Sequence, residues 1–278
     1  MCRKLSVITI NYNNLEGLKR TYESVVSQTC QDFEWIIIDG GSTDGSKEFI
    51  EEHQEHFTYW CSEPDSGVYH AMNKGIMKAT GEYLNFMNSG DSFYDEQIIE
   101  KVLSRELTAD MGYGDWLRVY PDHEILKEAP KKWFNITVFF ENVCHQAMFI
   151  KASILRDKGY DDKMHILADW KRWIEMSLEG QTFQYIPLTI CRFEATTGLS
   201  EKISEMHSKE MSIIYDSIPV EISKQIKKYN ALVLQNWEYN NNPVISETIR
   251  IATKGNSYKT KLIHLNLSII KVLEKILG

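Results

Sequence analysis

A carboxylate just beyond the carboxyl end of a buried strand is well placed to face a ligand, because open α/β sheets bind their ligands there. In this 278-residue chain the stretch Gly81–Phe93 makes that arrangement: Glu82–Met87 has the content of a buried strand and runs into the turn Asn88-Ser89-Gly90-Asp91. Asp39 repeats it at the end of the apolar run Glu34–Ile38, followed by Gly40-Gly41, where the backbone lets a ligand come close. A third carboxylate, Asp169, falls near the start of a helical stretch. Alone, each has an ordinary structural job: Asp91 and Asp39 as turn or capping residues, Asp169 as a helix-start acid favoured by the dipole.

The elements that would position them alternate. Leu5–Ile10, Glu34–Ile38, Phe57–Cys61 and Glu82–Met87 read as strands, and Met111–Tyr120 as a further one. Between them Leu15–Ser27 (capped by Asn14), Asp44–His53 (capped by Ser42 or Thr43), Val68–Thr80 (stopped by Gly81) and Gln97–Leu103 read as helices. This order predicts an α/β fold with a mainly parallel sheet flanked by helices. Further on, Gln146–Lys151 reads as strand, Ala152–Lys158 and Leu167–Leu178 as helices, and Thr182–Ile186 and Leu188–Phe193 as two strands around Pro187. After Ser200 the chain turns helical. In Leu262–Leu277, Leu262, Leu265, Ile269, Val272 and Ile276 share one face, and His264, Ser268, Lys271 and Lys275 another. That helix docks on the domain, lies on a membrane surface or binds a partner.

Composition narrows the class. A chain with 43% hydrophobic and 25% charged residues is globular. The net charge of -8 is uneven: from Lys202 onward 11 Lys+Arg face 7 Asp+Glu, a net of +4, so the body carries -12. An acidic body speaks against nucleic-acid binding. The 5 cysteines are odd in number and widely spaced, which points to a reducing compartment and no structural zinc. No Gly-x-Gly-x-x-Gly or Gly-Lys-Ser/Thr loop is present, so dinucleotide dehydrogenases and P-loop enzymes lack their signature.

Several stretches, in order, resemble the family 2 glycosyltransferases. These are Ser6–Asn13 (opening strand and Tyr-Asn turn), Ile38–Gly45 (the Asp-Asp-Gly-Ser-x-Asp loop), Ala71-Met72-Asn73-Lys74-Gly75, the turn ending at Asp91 in place of the Asp-x-Asp motif, and Ala168-Asp169-Trp170 in place of the Glu-Asp motif. Glu63-Pro64-Asp65-x-Gly67-x-Tyr69 and His145-Gln146 resemble the bacterial exopolysaccharide, capsule and O-antigen branch. The chain departs from the pattern at Asn88 and Gly90, at Gly40, at Met72 and at Ala168. Asp91 is then the one carboxylate left in the metal motif.

The resemblance implies a GT-A nucleotide-diphospho-sugar transferase fold. Residues 1–200 would form it, with a nucleotide-sugar half over 1–95, an acceptor half over 96–200 and a helical extension over 201–278. It implies inverting transfer from a nucleotide sugar, of UDP type, to a saccharide or lipid-diphosphate-linked saccharide, in bacterial surface polysaccharide synthesis at the cytoplasmic side of the membrane. Asp91 would ligate Mn²⁺ or Mg²⁺, which accept one or two carboxylates plus phosphates and water. Ile10, Asn11, Tyr12, Asp39, Asn73, Lys74, Asn88 and Gly90 would line the donor site, Asp39 toward the base edge and Tyr12 by stacking. Asp169 would take the acceptor proton, with His145 as its rival. His145, Gln146 and Trp170 would face donor sugar or acceptor. Structural roles stand beside these: a core Tyr12, a solvated Lys74, a satisfied core His145 and a core Trp170. The alternative function is a non-catalytic sugar-nucleotide or glycan-binding protein of the same fold.

Overall fold

The computed structural model describes residues 4–133, 143–195, 204–224 and 226. The helix expected over 262–277 lies outside them.

Strand β1 (Leu5–Asn11) pairs in parallel with β2 (Glu34–Asp39) on one side and with β4 (Tyr83–Phe86) on the other. β3 (Tyr59–Ser62) extends the sheet in parallel beyond β2. Every residue of β1 and β2 is buried, as strands covered on both faces must be, and their sequences accordingly show apolar residues on both faces rather than strict alternation. The register sets Asn11 beside Asp39 and Asp39 beside Ser62, so three polar side chains end up in a row at the carboxyl ends of β1, β2 and β3. The 88–91 turn leaves β4 at the same end.

The second half joins through β8 (Met148–Lys151), antiparallel to β4. The order continues through β6 (Met111–Val119) and β9 (Phe183–Glu194) to the short β5 (Ser92–Phe93), with β7 (Glu124–Lys127) hairpinned onto β6. The two strands expected around Pro187 are one. β9 runs through the proline with a bulge, shifting register against β6 between Gly114 and Trp116. Proline cannot donate to a ladder, and a bulge is how a strand carries it.

Among the described residues up to 178, six helices accompany the sheet: α1 (Leu15–Val26), α2 (Ser46–Glu52), α3 (Val68–Lys78), α4 (Ile98–Leu103), α5 (Ala152–Asp157) and α6 (Ala168–Leu178). A seventh, α7 (Ser204–Ser217), follows. Asn14 caps α1 as expected, its side chain accepting from Gly17 N at 3.2 Å. For α2 the capping differs: Asp44, not Ser42 or Thr43, receives Ser46 N, at 3.1 Å. Helix α3 buries Tyr69, Ala71, Met72, Gly75 and Ile76 against β1 and β2.

At the opposite end of the strands Glu34 is a buried carboxylate. It accepts from the Ser6 hydroxyl and Thr80 N, from Thr80 Oγ1 at 2.8 Å and from Gly81 N at 2.9 Å. It ties the starts of β1 and β2 to the turn that feeds β4. Burial pushes its pKa up, but the donated bonds outweigh burial and hold it below the ordinary range.

Candidate active site

The carboxyl ends of β1, β2 and β3 form the first corner. Asp39 is fully buried. Its Oδ1 accepts from Asn11 Nδ2 at 2.7 Å and Ser42 Oγ at 2.6 Å. Its Oδ2 accepts from Ser42 N at 2.9 Å, Ser62 Oγ at 2.6 Å and Gly41 N at 3.2 Å. Burial alone would raise its pKa; these donors reverse that and keep it ionised. Asp39 therefore stiffens the Gly40-Gly41 loop and aims Asn11, whose Oδ1 is buried without a partner. Ile10 lies buried beneath, and Tyr12 stands 67% exposed at the rim. A Cβ on Gly40 would sit 2.8 Å from Asp65 Oδ2 and 3.1 Å from the Tyr12 ring, so glycine lets these two side chains close over the loop. Asp65 holds Gly67 N through Oδ1 at 2.8 Å.

The second corner is the turn after β4. Thr21 of α1 braces it: its hydroxyl meets the Asp91 carbonyl at 2.7 Å and the Asn88 carbonyl at 3.1 Å, and accepts from Gly90 N at 3.0 Å. Gly90 takes φ of 109°, a left-handed value that suits glycine. Asp91 is 5% exposed. Its Oδ2 accepts from Gln146 Nε2 at 2.5 Å and its Oδ1 from Glu194 N at 2.9 Å. Burial pushes it up to about 7, because these bonds offset only part of the desolvation. Asn88 Oδ1, three residues earlier, is buried with no partner.

These residues fit one divalent cation bound through a single carboxylate. Two of the four lone-pair positions on Asp91 remain free, the nearby Arg20 charge acts on it without a direct hydrogen bond among the described residues, and Asn88 offers an orphaned oxygen. Among the described residues no group of three His, Cys, Asp or Glu side chains converges. A cation held here would take its remaining positions from ligand and water.

The third corner is the start of α6. The Asp169 side chain is 21% exposed. Its Oδ1 accepts from Trp170 N at 2.8 Å and lies 2.8 Å from the Tyr69 hydroxyl, which is also 2.7 Å from the Ile166 carbonyl. Tyr69 has one hydroxyl proton and two acceptors. With Asp169 ionised the proton goes to the carboxylate; with Asp169 protonated the acid can donate to Tyr69 and Tyr69 to Ile166. Both states of Asp169 are thus accommodated. Burial raises Asp169 to about 6 against the lowering effect of Tyr69 and Trp170 N. His145 sits behind it in a 3-10 turn (His145–Ala147), Nδ1 3.9 Å from Asp169 Oδ2 and Nε2 2.8 Å from the Tyr160 hydroxyl. Burial lowers its pKa to about 3, so it is a neutral imidazole. Between the rivals, Asp169 is the exposed group with a proton affinity suited to a base.

Other predicted site residues have protein partners. Asn73 fastens α3 to Tyr160, donating to its carbonyl at 2.8 Å and accepting from its N at 2.9 Å. Lys74 pairs with Glu63 at 2.8 Å. Gln146 joins the third corner's turn to Asp91, and Trp170 packs partly buried against the core. Sequence reasoning gave no role to Tyr69, Tyr160, Asp65 or Glu210. Tyr69 and Asp65 stood within a quoted motif, whereas Glu210 left no local signal.

Three comparisons place this geometry among known proteins. Residues 6–143 match the profile described as Glycosyl transferase family 2. An uncharacterized glycosyltransferase of Mycobacterium tuberculosis is 34% identical over 202 residues, covering 70% of this chain and 76% of that one. The structure of TarS from S. aureus in complex with UDP-GlcNAc superposes with a TM-score of 0.65 at 14% identity, over 80% of this chain and 70% of that one. A Pyrobaculum calidifontis mannosyltransferase in complex with GDP-Man and Mn2+ gives 0.61 at 13% identity, over 97% and 80%. The shared fold is the GT-A glycosyltransferase fold, and with the ordered motifs and the Mycobacterium relative it shows that this chain belongs to glycosyltransferase family 2.

Proposed function

We propose that this glycosyltransferase inverts the anomeric centre, moving a sugar from a UDP-sugar to a lipid-diphosphate-linked saccharide during bacterial surface polysaccharide synthesis. The observation that carries the mechanism is Asp169: one partly exposed carboxylate, raised to about 6, with a neutral histidine behind it. An inverting transfer needs a single base. The acceptor hydroxyl oxygen attacks the anomeric carbon, its proton passes to Asp169, and the bond to the diphosphate oxygen breaks on the opposite face. Tyr69 holds Asp169 and follows its change of protonation.

The donor occupies the other two corners. Tyr12 offers its exposed ring to the base, and Asp65 Oδ2 lies beside it over Gly40. Asn11 Oδ1, held out by Asp39, is an acceptor awaiting a donor from the nucleoside. Asp91, with Asn88, would hold Mn²⁺ or Mg²⁺, which neutralises the leaving diphosphate. TarS with UDP-GlcNAc and the mannosyltransferase with GDP-Man and Mn2+ support a nucleoside-diphosphate sugar as the donor class. The lysine-bearing segment 262–277 would bring the enzyme to the acceptor's membrane; in the described residues no helix is long and apolar enough to cross one.

The test is a panel of nucleotide sugars screened for binding and for Mn²⁺-dependent hydrolysis. The proposal expects a UDP-sugar to be bound and slowly hydrolysed, with turnover lost in Asp91→Ala and Asp169→Asn. Binding without turnover in any condition would favour the non-catalytic reading, which the single-carboxylate metal motif prompts.

A further inference from the structure

Helix α6 begins at Ala168, and Leu167, the residue that should cap it, has a side chain unable to do so. The three residues leading into this end, however, give their N–H groups to a partner from far along the chain. Glu210, on α7, accepts from His165 N at 2.6 Å, Ile166 N at 3.0 Å and Leu167 N at 2.8 Å. Glu210 is 3% exposed, and Ile214, one turn later on the same face, is fully buried. A carboxylate taking three backbone N–H groups at a helix start is favoured by charge-assisted bonds and by the helix dipole.

We propose that Glu210 is a positioning residue for the transfer reaction, acting on Asp169 through the peptide of Ile166. The inference rests on the reading of Asp169 as the base. Ile166 is held from both sides: its N–H by Glu210 and its carbonyl at 2.7 Å from the Tyr69 hydroxyl, the group that also meets Asp169. Glu210 thereby fixes the carbonyl that must receive the Tyr69 proton whenever Asp169 is protonated. Asp169 itself follows Leu167 by two residues, so the same clasp sets where its side chain starts. Helix α7 is on this account part of the catalytic domain rather than an appendage.

Four groups bear on Asp169 from the surrounding elements: Tyr69 on α3, His145 in the 3-10 turn, Tyr160 in the loop after α5, and Glu210 on α7. The first and third are phenols and His145 is neutral, which leaves Glu210 as the full charge among them. Its negative charge adds to burial in raising Asp169. Removing that charge must lower the Asp169 midpoint.

The experiment uses the full chain with Glu210→Gln, which keeps the shape, removes the charge and sets one amide N–H group against a backbone N–H of residues 165–167. Carboxyl ¹³C NMR reads the Asp169 titration, and steady-state kinetics reads kcat and KM against pH. The expected result is an Asp169 midpoint lower by roughly half a unit, an acid limb of kcat moved the same way, and kcat reduced about tenfold through lost orientation. KM for the donor should stay near wild type, because the donor corners lie on other elements. A lower kcat with an unmoved midpoint would mean Glu210 only supports the fold and would overturn the proposal, as would unchanged kinetics. If the variant does not fold, wild-type amide exchange decides: residues 165–167 must be protected together with α7, and fast exchange there overturns the clasp. Both NMR readouts stand even if the chain transfers no sugar, so failure of the functional reading and failure of the Glu210 role are told apart.

Discussion

Asp169 and His145 face each other across 3.9 Å, and burial drives them in opposite senses: the acid up to about 6, the imidazole down to about 3. Between those values both are neutral, and near neutral pH only Asp169 is charged. Activity should therefore rise with pH along a limb centred near 6, set by deprotonation of the base. Tyr69→Phe removes a hydrogen bond that lowers the Asp169 pKa, so this limb should move to higher pH, by up to about one unit. A pH profile of kcat/KM for the two proteins checks both statements. Stability carries the opposite sign. A carboxylate whose folded pKa is raised above 3.8 costs nothing below the unfolded value, an increasing amount as pH rises between the two, and its full amount above the folded value near 6. Asp169→Asn should thus be more stable than wild type at pH 8, by about 1–2 kcal/mol after allowance for partial exposure. The advantage should vanish near pH 3.5 in thermal melts.

At the scale of elements, Glu34 is the counterpart of Asp169: a buried carboxylate with donors enough to keep it ionised. Glu34→Gln would leave an N–H group facing Thr80 N or Gly81 N and should cost about 2–4 kcal/mol in urea unfolding at pH 7. Because its folded pKa is depressed, this contribution exists above the unfolded value and fades as pH falls through the folded one, so the two proteins should converge in acid. The strands that position the site were legible in the sequence wherever their burial is continuous. β1, β2 and β4 declared themselves as apolar runs ending in polar turns, and Asn14 as a cap. β9 was read as two strands because Pro187 looks like a break; only the pairing with β6 shows the bulge that carries it. β5, two residues long, has too little pattern to find. Asp91 and Asp169 stand out as candidates from motif order. The clasp by Glu210 does not, since a bond spanning more than 40 residues depends on tertiary packing and leaves no periodicity.

At the scale of the molecule, the proposed function needs three corners at one end of the sheet: the carboxyl ends of β1–β3 for the nucleoside, the turn after β4 for the diphosphate, and the start of α6 for the acceptor. The second corner has one carboxylate where its family commonly supplies more. Mn²⁺ should consequently bind the chain alone weakly and bind much more tightly with a nucleoside diphosphate, whose phosphates complete its shell. Calorimetry with and without UDP measures this, and tight binding to the chain alone would contradict it. The charge division, +4 from Lys202 onward against -12 before it, suits a body that handles anions through a metal and a tail drawn to an anionic surface. The central claim is that Asp169 is the base of an inverting transfer, and one comparison bears on it most directly: turnover of Asp169→Asn against wild type at saturating donor and pH 8, with donor affinity measured in parallel. The account predicts kcat lower by about 10²–10⁴-fold at unchanged donor affinity. Near-normal turnover in Asp169→Asn would contradict it.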